Sequence, residues 1–246
     1  WYQASGTESA VFLNSEREEG VKGRYIDGQV YLPVDWVDEA VNERFYWDEE
    51  NSQLIYTLPD QIVYANEETM GSSGKPLLVQ QDGTVWLLSS LVSAYTNVRI
   101  ETFDTDGVHR IFVDTTWESQ QLAKVKKNTA LRIRGGVKSA LITEVPSGAE
   151  VTVLEQLENW SRVRTEDGQV GYLPNRRLKE TEAKTLVSTF QEPEYTSISM
   201  DEPVVLVWHQ VTNLSANQAM QTLISATKGV NVIAPTWFML TDNSGN

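Results

Sequence analysis

An internal repeat near the start of the chain constrains its fold more than any other feature. The sequence DGQVYLP, which begins at Asp27, returns as DGTVWLL from Asp82, an offset of 55 residues (82 − 27). In both copies an alternating strand pattern leads into a short helical pattern, and two further strand patterns follow. The repeat therefore predicts two β-α-β-β units. Because one unit is too small to bury a core alone, we expect the copies to pack together.

The first unit resembles a known bacterial repeat. Its sequences GQVYLPVDWVDEAV and RFYWDEENSQLIY resemble the copper amine oxidase N-terminal domain, an accessory module of exported bacterial proteins. The resemblance covers about Gly20 to Thr116 and implies neither copper binding nor amine oxidation. The second copy departs from the pattern, with Leu88 where the first has Pro33. We expect an α+β tandem repeat domain over residues 1–120.

The sequence DTDG at residues 104–107 has the opening spacing of an EF-hand calcium loop. The twelfth position of such a loop should be a bidentate glutamate, but here it is Thr115, and His109 stands where the sharp turn needs glycine. Asp-Gly also supplies the positive φ of a tight hairpin turn. The sequence favours a plain hairpin turn, and no metal ligand is assigned.

Strand patterns separated by turn signals follow the repeat. Asp167-Gly168 and Pro146-Ser147-Gly148 mark two of the turns, and this spacing favours a small β-barrel. The sequences LRIR and WSRVRTEDGQVGYLP resemble the bacterial SH3-like domain, with the resemblance running from Lys124 to Leu178. It implies an all-β barrel over residues 121–180 that binds the cell wall. Its partner would be peptidoglycan or a related glycan or peptide.

Four side chains of this barrel are candidate ligand contacts. Trp160 and Tyr172 could line a groove with their aromatic faces, and Arg132 and Arg134 could pair with ligand carboxylates. The favoured alternative is structural. In that case Trp160 is the core tryptophan with Tyr172 as its neighbour, and the arginines lie on solvated strand faces.

The composition changes at residues 181–203, where charged residues, serine, threonine and two prolines indicate a linker. After it, VVLVWHQV is apolar at nearly every position from Val204 to Trp208, as expected of a strand covered on both faces. A helical pattern capped by Asn213 or Ser215 and a second strand follow. This order predicts one β-α-β unit, the opening of an α/β barrel or a doubly wound sheet.

The sequences VVLVWHQVTN and GVNVIAPTWF resemble the first two strands of bacterial family 18 glycoside hydrolases of the wall- and spore-associated, chitinase-like kind. In that family, modules of the two kinds described above commonly precede the catalytic barrel. The resemblance implies that residues 204–246 begin a TIM barrel that is incomplete here. The D-x-x-D-x-D-x-E motif of these enzymes is absent from the chain, so no catalytic or cofactor-binding residue is assigned.

Two residues of the last segment remain as candidates. His209 ends the first strand, where barrel enzymes place substrate contacts, but no partner acid is in view and a structural role is open. Trp237 follows the second strand and either stacks on a sugar or packs against further strands. The open edge of valine and isoleucine predicts self-association through residues 204–246, or stabilisation of that segment by the preceding modules.

Charge and composition limit the partners. The chain has 34 acidic against 20 basic residues, a formal net charge of -14, so nucleic acid and anionic membranes would be repelled. Without cysteine there is no disulfide or thiolate site, which fits a cytosolic protein or one exported without disulfides. With the resemblances, this predicts an extracellular or wall-associated bacterial protein. Its export signal or membrane anchor would lie outside this chain.

Together these features predict a multidomain chain that forms the non-catalytic, wall-binding front end of an exported family 18-like hydrolase. Its substrates would be polymers that contain N-acetylglucosamine, such as peptidoglycan. Two alternatives stay open. The native protein is itself the active glycosidase, or the chain is an adhesion module with no hydrolase role.

Overall fold

A computed structural model of the protein describes residues 8–105, 107–181, 183–196 and 200–238. The chain divides into two units, Trp1–Tyr195 and Thr196–Asn246. The first unit consists mainly of β-strands, and the second contains one helix between two short strands.

A seven-stranded sheet, here called the repeat sheet, organises the first part of unit one. Its neighbouring strands are antiparallel except for the parallel pair at β1 and β10. The strands in spatial order are β7 (Leu78–Gln81), β8 (Thr84–Leu88), β3 (Gln29–Pro33), β2 (Glu16–Ile26), β1 (Glu8–Leu13), β10 (Val108–Asp114) and β9 (Arg99–Thr105). A separate three-stranded sheet contains β4 (Phe45–Asp48), β5 (Gln53–Thr57) and β6 (Ile62–Ala65), and the two short helices are α1 (Val34–Ala40) and α2 (Ser89–Tyr95).

The two sequence repeats meet at the centre of the repeat sheet. Each DG dipeptide turns a hairpin, between β2 and β3 and between β7 and β8, with both residues at positive φ as a two-residue turn requires. Strands β3 and β8 then pair antiparallel with Leu32 opposite Leu87. These leucines are also equivalent in the repeat, since the offset between them is 55 (87 − 32). A local two-fold axis therefore passes between them.

Each copy has the order strand, helix, strand, strand, as β3-α1-β4-β5 and β8-α2-β9-β10. The final strand pairs take different places, because β4 and β5 join β6, whereas β10 and β9 extend the repeat sheet through β1. The repeat in the sequence did not predict β1. The replacement of Pro33 by Leu88 leaves the helix start unchanged, since both residues have φ near −60° and an extended ψ.

The main apolar core packs the two helices and the three-stranded sheet against one face of the repeat sheet. Successive side chains of a strand point to opposite faces of the sheet, so every second side chain of each central strand lies in this core. Its fully buried members include Val11, Leu32, Val37, Phe45, Leu54, Leu78, Leu87, Val92 and Val113.

A second seven-stranded antiparallel sheet, here called the small domain, follows at residues 121–180. Its strands in spatial order are β13 (Leu141–Val145), β12 (Thr129–Arg132), β16 (Val170–Pro174), β15 (Trp160–Thr165), β14 (Glu150–Gln156), β11 (Gln121–Val125) and β17 (Leu178–Glu180), with a 3-10 turn at Asn175–Arg177. Its core contains Ala123, Val125, Leu131, Val145, Val151, Val163, Leu173 and Leu178.

The small domain packs against the face of the repeat sheet that lies opposite the main core. Val170 contacts a cluster that includes Phe12 and Phe112, whose rings stack with centroids 4.5 Å apart. The guanidinium of Arg164 lies 4.9 Å from the centre of the Phe112 ring. The two domains therefore share an apolar contact, and residues 1–195 form one unit rather than two separate modules.

A buried ion cluster adjoins this contact. One carboxylate oxygen of Asp114 accepts from Arg99 at 2.6 Å and lies 3.6 Å from Arg164, which comes from the small domain. Asp114 and Arg164 are both buried. Removing one partner of a buried pair leaves an uncompensated charge, so each of these residues is required by the others.

A second carboxylate, that of Glu101, lies 3.4 Å from Arg99 and 3.6 Å from Arg164. We expect the substitution Asp114→Asn to lower the free energy of unfolding by about 2 kcal/mol, because it leaves the buried Arg164 and the partly buried Arg99 with Glu101 as their only anion in the cluster. The control is Asp82→Asn, which removes the carboxylate of the exposed pair with Arg24 and should cost about 1 kcal/mol or less. Denaturant titration measures both. Equal losses would show that the Asp114 cluster contributes no more than a surface pair.

A glycine makes a second close contact between the domains. Gly168 in the β15–β16 turn has a φ of 73°, and a Cβ at this position would collide with the ring of Phe103 on β9. Beside it, Thr105 Oγ1 donates to the carbonyl of Asp167 at 3.2 Å. The DG turn thus serves both as a hairpin turn and as a docking point on the repeat sheet.

Gly148 offers a matched comparison, because it has a φ of 89° in another turn of the small domain but nothing within 4 Å of an added Cβ. We expect Gly148→Ala to cost about 1–2 kcal/mol from backbone strain alone. Gly168→Ala should cost a further ~1–3 kcal/mol from overpacking against Phe103. Thermal and denaturant unfolding measure the difference, and equal costs would contradict the docking role.

The segment predicted as a linker at residues 181–203 differs from that expectation in its first part. Lys184 forms a β-bridge with Gln120. Further along, the hydroxyl of Tyr195 donates to the carbonyl of Thr57 at 2.9 Å, and the Arg44 guanidinium lies 3.6 Å from the centre of the Tyr195 ring. Its polar composition indicated a loop, but the loop packs on unit one instead of spanning free solvent.

The second unit contains β18 (Leu206–His209), α3 (Leu214–Ala226) and β19 (Val232–Pro235), with the two strands parallel. Asn213, rather than Ser215, caps the helix, since its Oδ1 accepts from the amide of Ala216 at 2.8 Å. Strand β18 is not covered on both faces as predicted. Its side chains alternate between half-buried and exposed, and Trp208 is 78% exposed. No helix in the described part of the chain is long and apolar enough to cross a membrane.

Candidate functional site

A cavity of about 430 Å³ lies between the repeat sheet and the small domain. Its volume falls within the range of about 300–1,000 Å³ that is usual for small-molecule sites. It is named here the inter-sheet cavity. The repeat sheet contributes Ala10, Phe12, Glu16, Arg17 and Arg110, and the small domain contributes Ile133, Ile142, Glu155, Arg162, Gln169, Val170, Gly171 and Tyr172.

Strand alternation explains which side chains of the small domain reach the cavity. Along β16, Leu173 belongs to the core, whereas Val170 and Tyr172 stand on the outer face. Arg162 on β15 lies directly opposite Tyr172 and shares that face. A bulge in β14 shifts the register by one residue, which brings Glu155 rather than its predecessor opposite Arg162.

The same alternation operates on the repeat sheet. In β10, Ile111 and Val113 enter the main core, which leaves Arg110, Phe112 and Asp114 on the face that meets the small domain. Ala10 pairs with Arg110 across the parallel β1–β10 ladder. The cavity therefore has one wall from each domain, and both walls are rigid sheet.

Arg110 and Arg162 both line the cavity, one from each domain, but they differ in their contacts. Arg162 forms an ion pair with Glu16, and its Nη2 donates to the carbonyl of Ser15 at 2.8 Å. Arg110 is only 5% exposed, and its Nη1 has no hydrogen-bond partner in the described part of the chain. Burial lowers the pKa of Arg110, and the charge of Asp167 opposes that effect only in part.

A second buried polar group borders the cavity. Gln169 is 6% exposed, and its Oε1 accepts no hydrogen bond from any residue that the structure describes. Its backbone amide donates to Thr165 Oγ1 at 3.0 Å, which holds the residue in the turn. Two residues that line the cavity thus each carry a buried polar atom without a partner in the described part of the chain, one a donor and the other an acceptor.

The five predicted ligand residues do not lie together. Tyr172 lines the cavity. Arg132 lies opposite it on β12, but its Nη1 donates to the carbonyl of Ser139 at 2.6 Å. Trp160 packs against Gly135 and lies outside the core of the small domain, which differs from the structural alternative for this residue.

The remaining candidates lie elsewhere. Arg134 is exposed in the loop after β12, and Trp237 belongs to the second unit, where its Nε1 donates to Asn217 Oδ1 at 2.9 Å. His209 Nε2 lies 3.2 Å from the carbonyl oxygen of Ala216 on α3, a structural contact. Their ligand-binding roles stay predictions.

In the DTDG sequence, Asp104 and Thr105 end β9, and Gly107, which has a φ of 73°, directly precedes β10. Asp106, part of the calcium-loop alternative, lies outside the described residues. Among those that are described, no group of three or more histidine, aspartate or glutamate side chains could hold a metal ion.

Sequence reasoning missed Arg110 and Gln169. One partial signal was present, because the aromatic Phe112 lies between Arg110 and Asp114 on the face of β10 that alternation alone would assign to solvent. Gln169 gave no such signal, since its position directly after the Asp167-Gly168 turn is typical of an exposed residue.

Comparison with known proteins found a family only for the small domain. Residues 127–179 match the family model described as the bacterial SH3 domain. No curated protein and no solved structure shows a significant match to the chain. The small domain is therefore similar to bacterial SH3 domains, and that similarity fits a cell-wall-binding or targeting role for the chain.

Proposed function

We propose that this chain is the non-catalytic, wall-binding or targeting part of an exported bacterial glycoside hydrolase. The observation that carries the proposal is the match of residues 127–179 to the bacterial SH3 domain. Its partner is peptidoglycan or a related glycan or peptide, and its location is the cell wall or the extracellular space. The domains are the repeat domain at residues 1–120, the SH3-like domain at 121–180 and a hydrolase-like segment at 204–246.

Two features support the wider context. The β18-α3-β19 unit has two parallel strands joined by a helix, the order with which a family 18 barrel opens. Each copy of the repeat has the β-α-β-β order that the strand and helix patterns of the sequence predict. The parent enzyme would hydrolyse polymers of N-acetylglucosamine, and the absence of its acidic motif from this chain makes binding the part that this chain performs.

The charge of the chain places a condition on wall binding. With a formal net charge of -14, the protein as a whole gains nothing from long-range attraction to anionic polymers. Binding therefore depends on local groups, and the half-buried Tyr172 beside Arg162 is the aromatic residue of the small domain that lines a cavity of suitable size.

We expect the full chain to sediment with purified peptidoglycan sacculi. Tyr172→Ala should reduce the bound fraction severalfold, since it removes an aromatic face that contributes about 1 kcal/mol or more. The control, Tyr46→Ala, removes an exposed tyrosine of β4 that does not line the cavity and should bind as the wild type does. Failure of the wild-type protein to sediment would overturn the proposal.

Self-association through residues 204–246 is a further part of the proposal. Leu206 and Trp208 are exposed on β18, and in the described part of unit two α3 has no buried residue. Such apolar surface favours pairing with a second chain. Light scattering over a concentration series should show an increasing mean mass, which Trp208→Glu should suppress. A constant monomeric mass at all concentrations would contradict it.

A further inference from the structure

Arg110 is a buried cation that forms no ion pair within the described part of the protein. It is 5% exposed, and among the described residues no carboxylate lies within ion-pair distance of its guanidinium. The charge of Asp167 acts on Arg110 without an ion pair, and of the two carboxylates in the cavity wall, Glu16 pairs with Arg162 and Glu155 lies opposite Arg162 in the sheet. A buried unpaired charge is costly, so a fold retains one where something else supplies the counter-charge.

Gln169 adds a complementary requirement. Its unpaired Oε1 needs an N–H or O–H donor, whereas the unpaired Nη1 of Arg110 needs an acceptor. Both residues border the inter-sheet cavity. A ligand that satisfies both carries an anionic acceptor and a hydrogen-bond donor close together.

The rest of the cavity wall combines charged residues with apolar and aromatic ones, and Phe12, Ile133, Ile142 and Tyr172 supply its apolar surface. A free inorganic anion would leave this surface and the Gln169 oxygen without contacts. An amino acid at the end of a peptide has a carboxylate, an adjacent amide N–H and a side chain, and so matches all three kinds of lining group.

We propose that the inter-sheet cavity binds the carboxyl-terminal end of a short peptide, with its carboxylate on Arg110 and its last amide N–H on Gln169 Oε1. The inference deepens the proposed function, on which it rests for the source of the peptide, because a wall polymer supplies peptide ends that ordinary glycans lack. It also assigns part of the binding site to the repeat domain, since Arg110 comes from β10.

The test uses calorimetric titration of the full chain with N-acetyl-D-alanyl-D-alanine, its carboxyl-terminal amide and the L,L isomer of the acid. We expect the acid to bind about tenfold or more tightly than the amide, because the amide lacks the charge-assisted contact. Preference for the D,D form assigns the site to wall peptides. If both isomers bind equally, the site still binds a terminal carboxylate, but it accepts peptide ends in general.

Two variants locate the site. Arg110→Met should lose about tenfold or more in affinity while the unliganded protein unfolds at the same or a higher temperature, since an unpaired buried charge has been removed. Gln169→Glu places a carboxylate in the same cavity and should also abolish binding. The control is Arg176→Met, which removes the same charge from an exposed residue of the small domain that does not line the cavity.

Equal binding of the acid and the amide, or unchanged affinity in Arg110→Met, would overturn this inference. Sedimentation of Arg110→Met with sacculi separates it from the proposed function. If that variant sediments as the wild type does, wall binding stands and the cavity is not its site. If the wild type does not sediment with sacculi but binds the dipeptide acid through Arg110, the cavity assignment stands and the wall is not the source of the peptide.

Discussion

The relation between the two domains of the first unit depends on the carboxylate of Asp114. It holds Arg99 of its own sheet and approaches Arg164 of the small domain, so one buried anion bridges two elements far apart in the sequence. Near it, the stacked rings of Phe12 and Phe112 form an apolar contact with Val170 of the small domain. The hydrophobic effect that stabilises such a contact is not directional. The ion cluster adds what apolar contact lacks, a specific alignment of one sheet over the other.

That alignment creates the inter-sheet cavity. The cavity exists because Arg162 and Tyr172 stand on the outer face of one sheet while Arg110 stands on the facing side of the other. Neither domain alone contains both walls. A repeat domain and an SH3-like domain that pack in this way form a composite surface, lined by residues of both.

The order of elements could be predicted from the sequence, whereas the docking could not. The DG turns and the alternating strands around them are local signals, and the structure has the strand-helix-strand-strand order that they indicated. Arg110, Asp114 and Arg164 resemble surface charges when each strand is considered alone, because the partner that buries them lies in another part of the chain. The same holds for the polar residues before Tyr195, which indicated a linker. The ring of Tyr195 packs on Arg44, a residue distant in the sequence.

The two-fold axis between Leu32 and Leu87 shows how such a repeat domain is put together. A strand that pairs antiparallel with its own copy is the isologous contact of a symmetric dimer, so this domain is laid out as a dimer whose subunits share one chain. Because both copies belong to one chain, their pairing does not depend on protein concentration. The two copies can also differ in sequence and structure. One copy keeps its last two strands in a small sheet, while the other places them where a second domain docks.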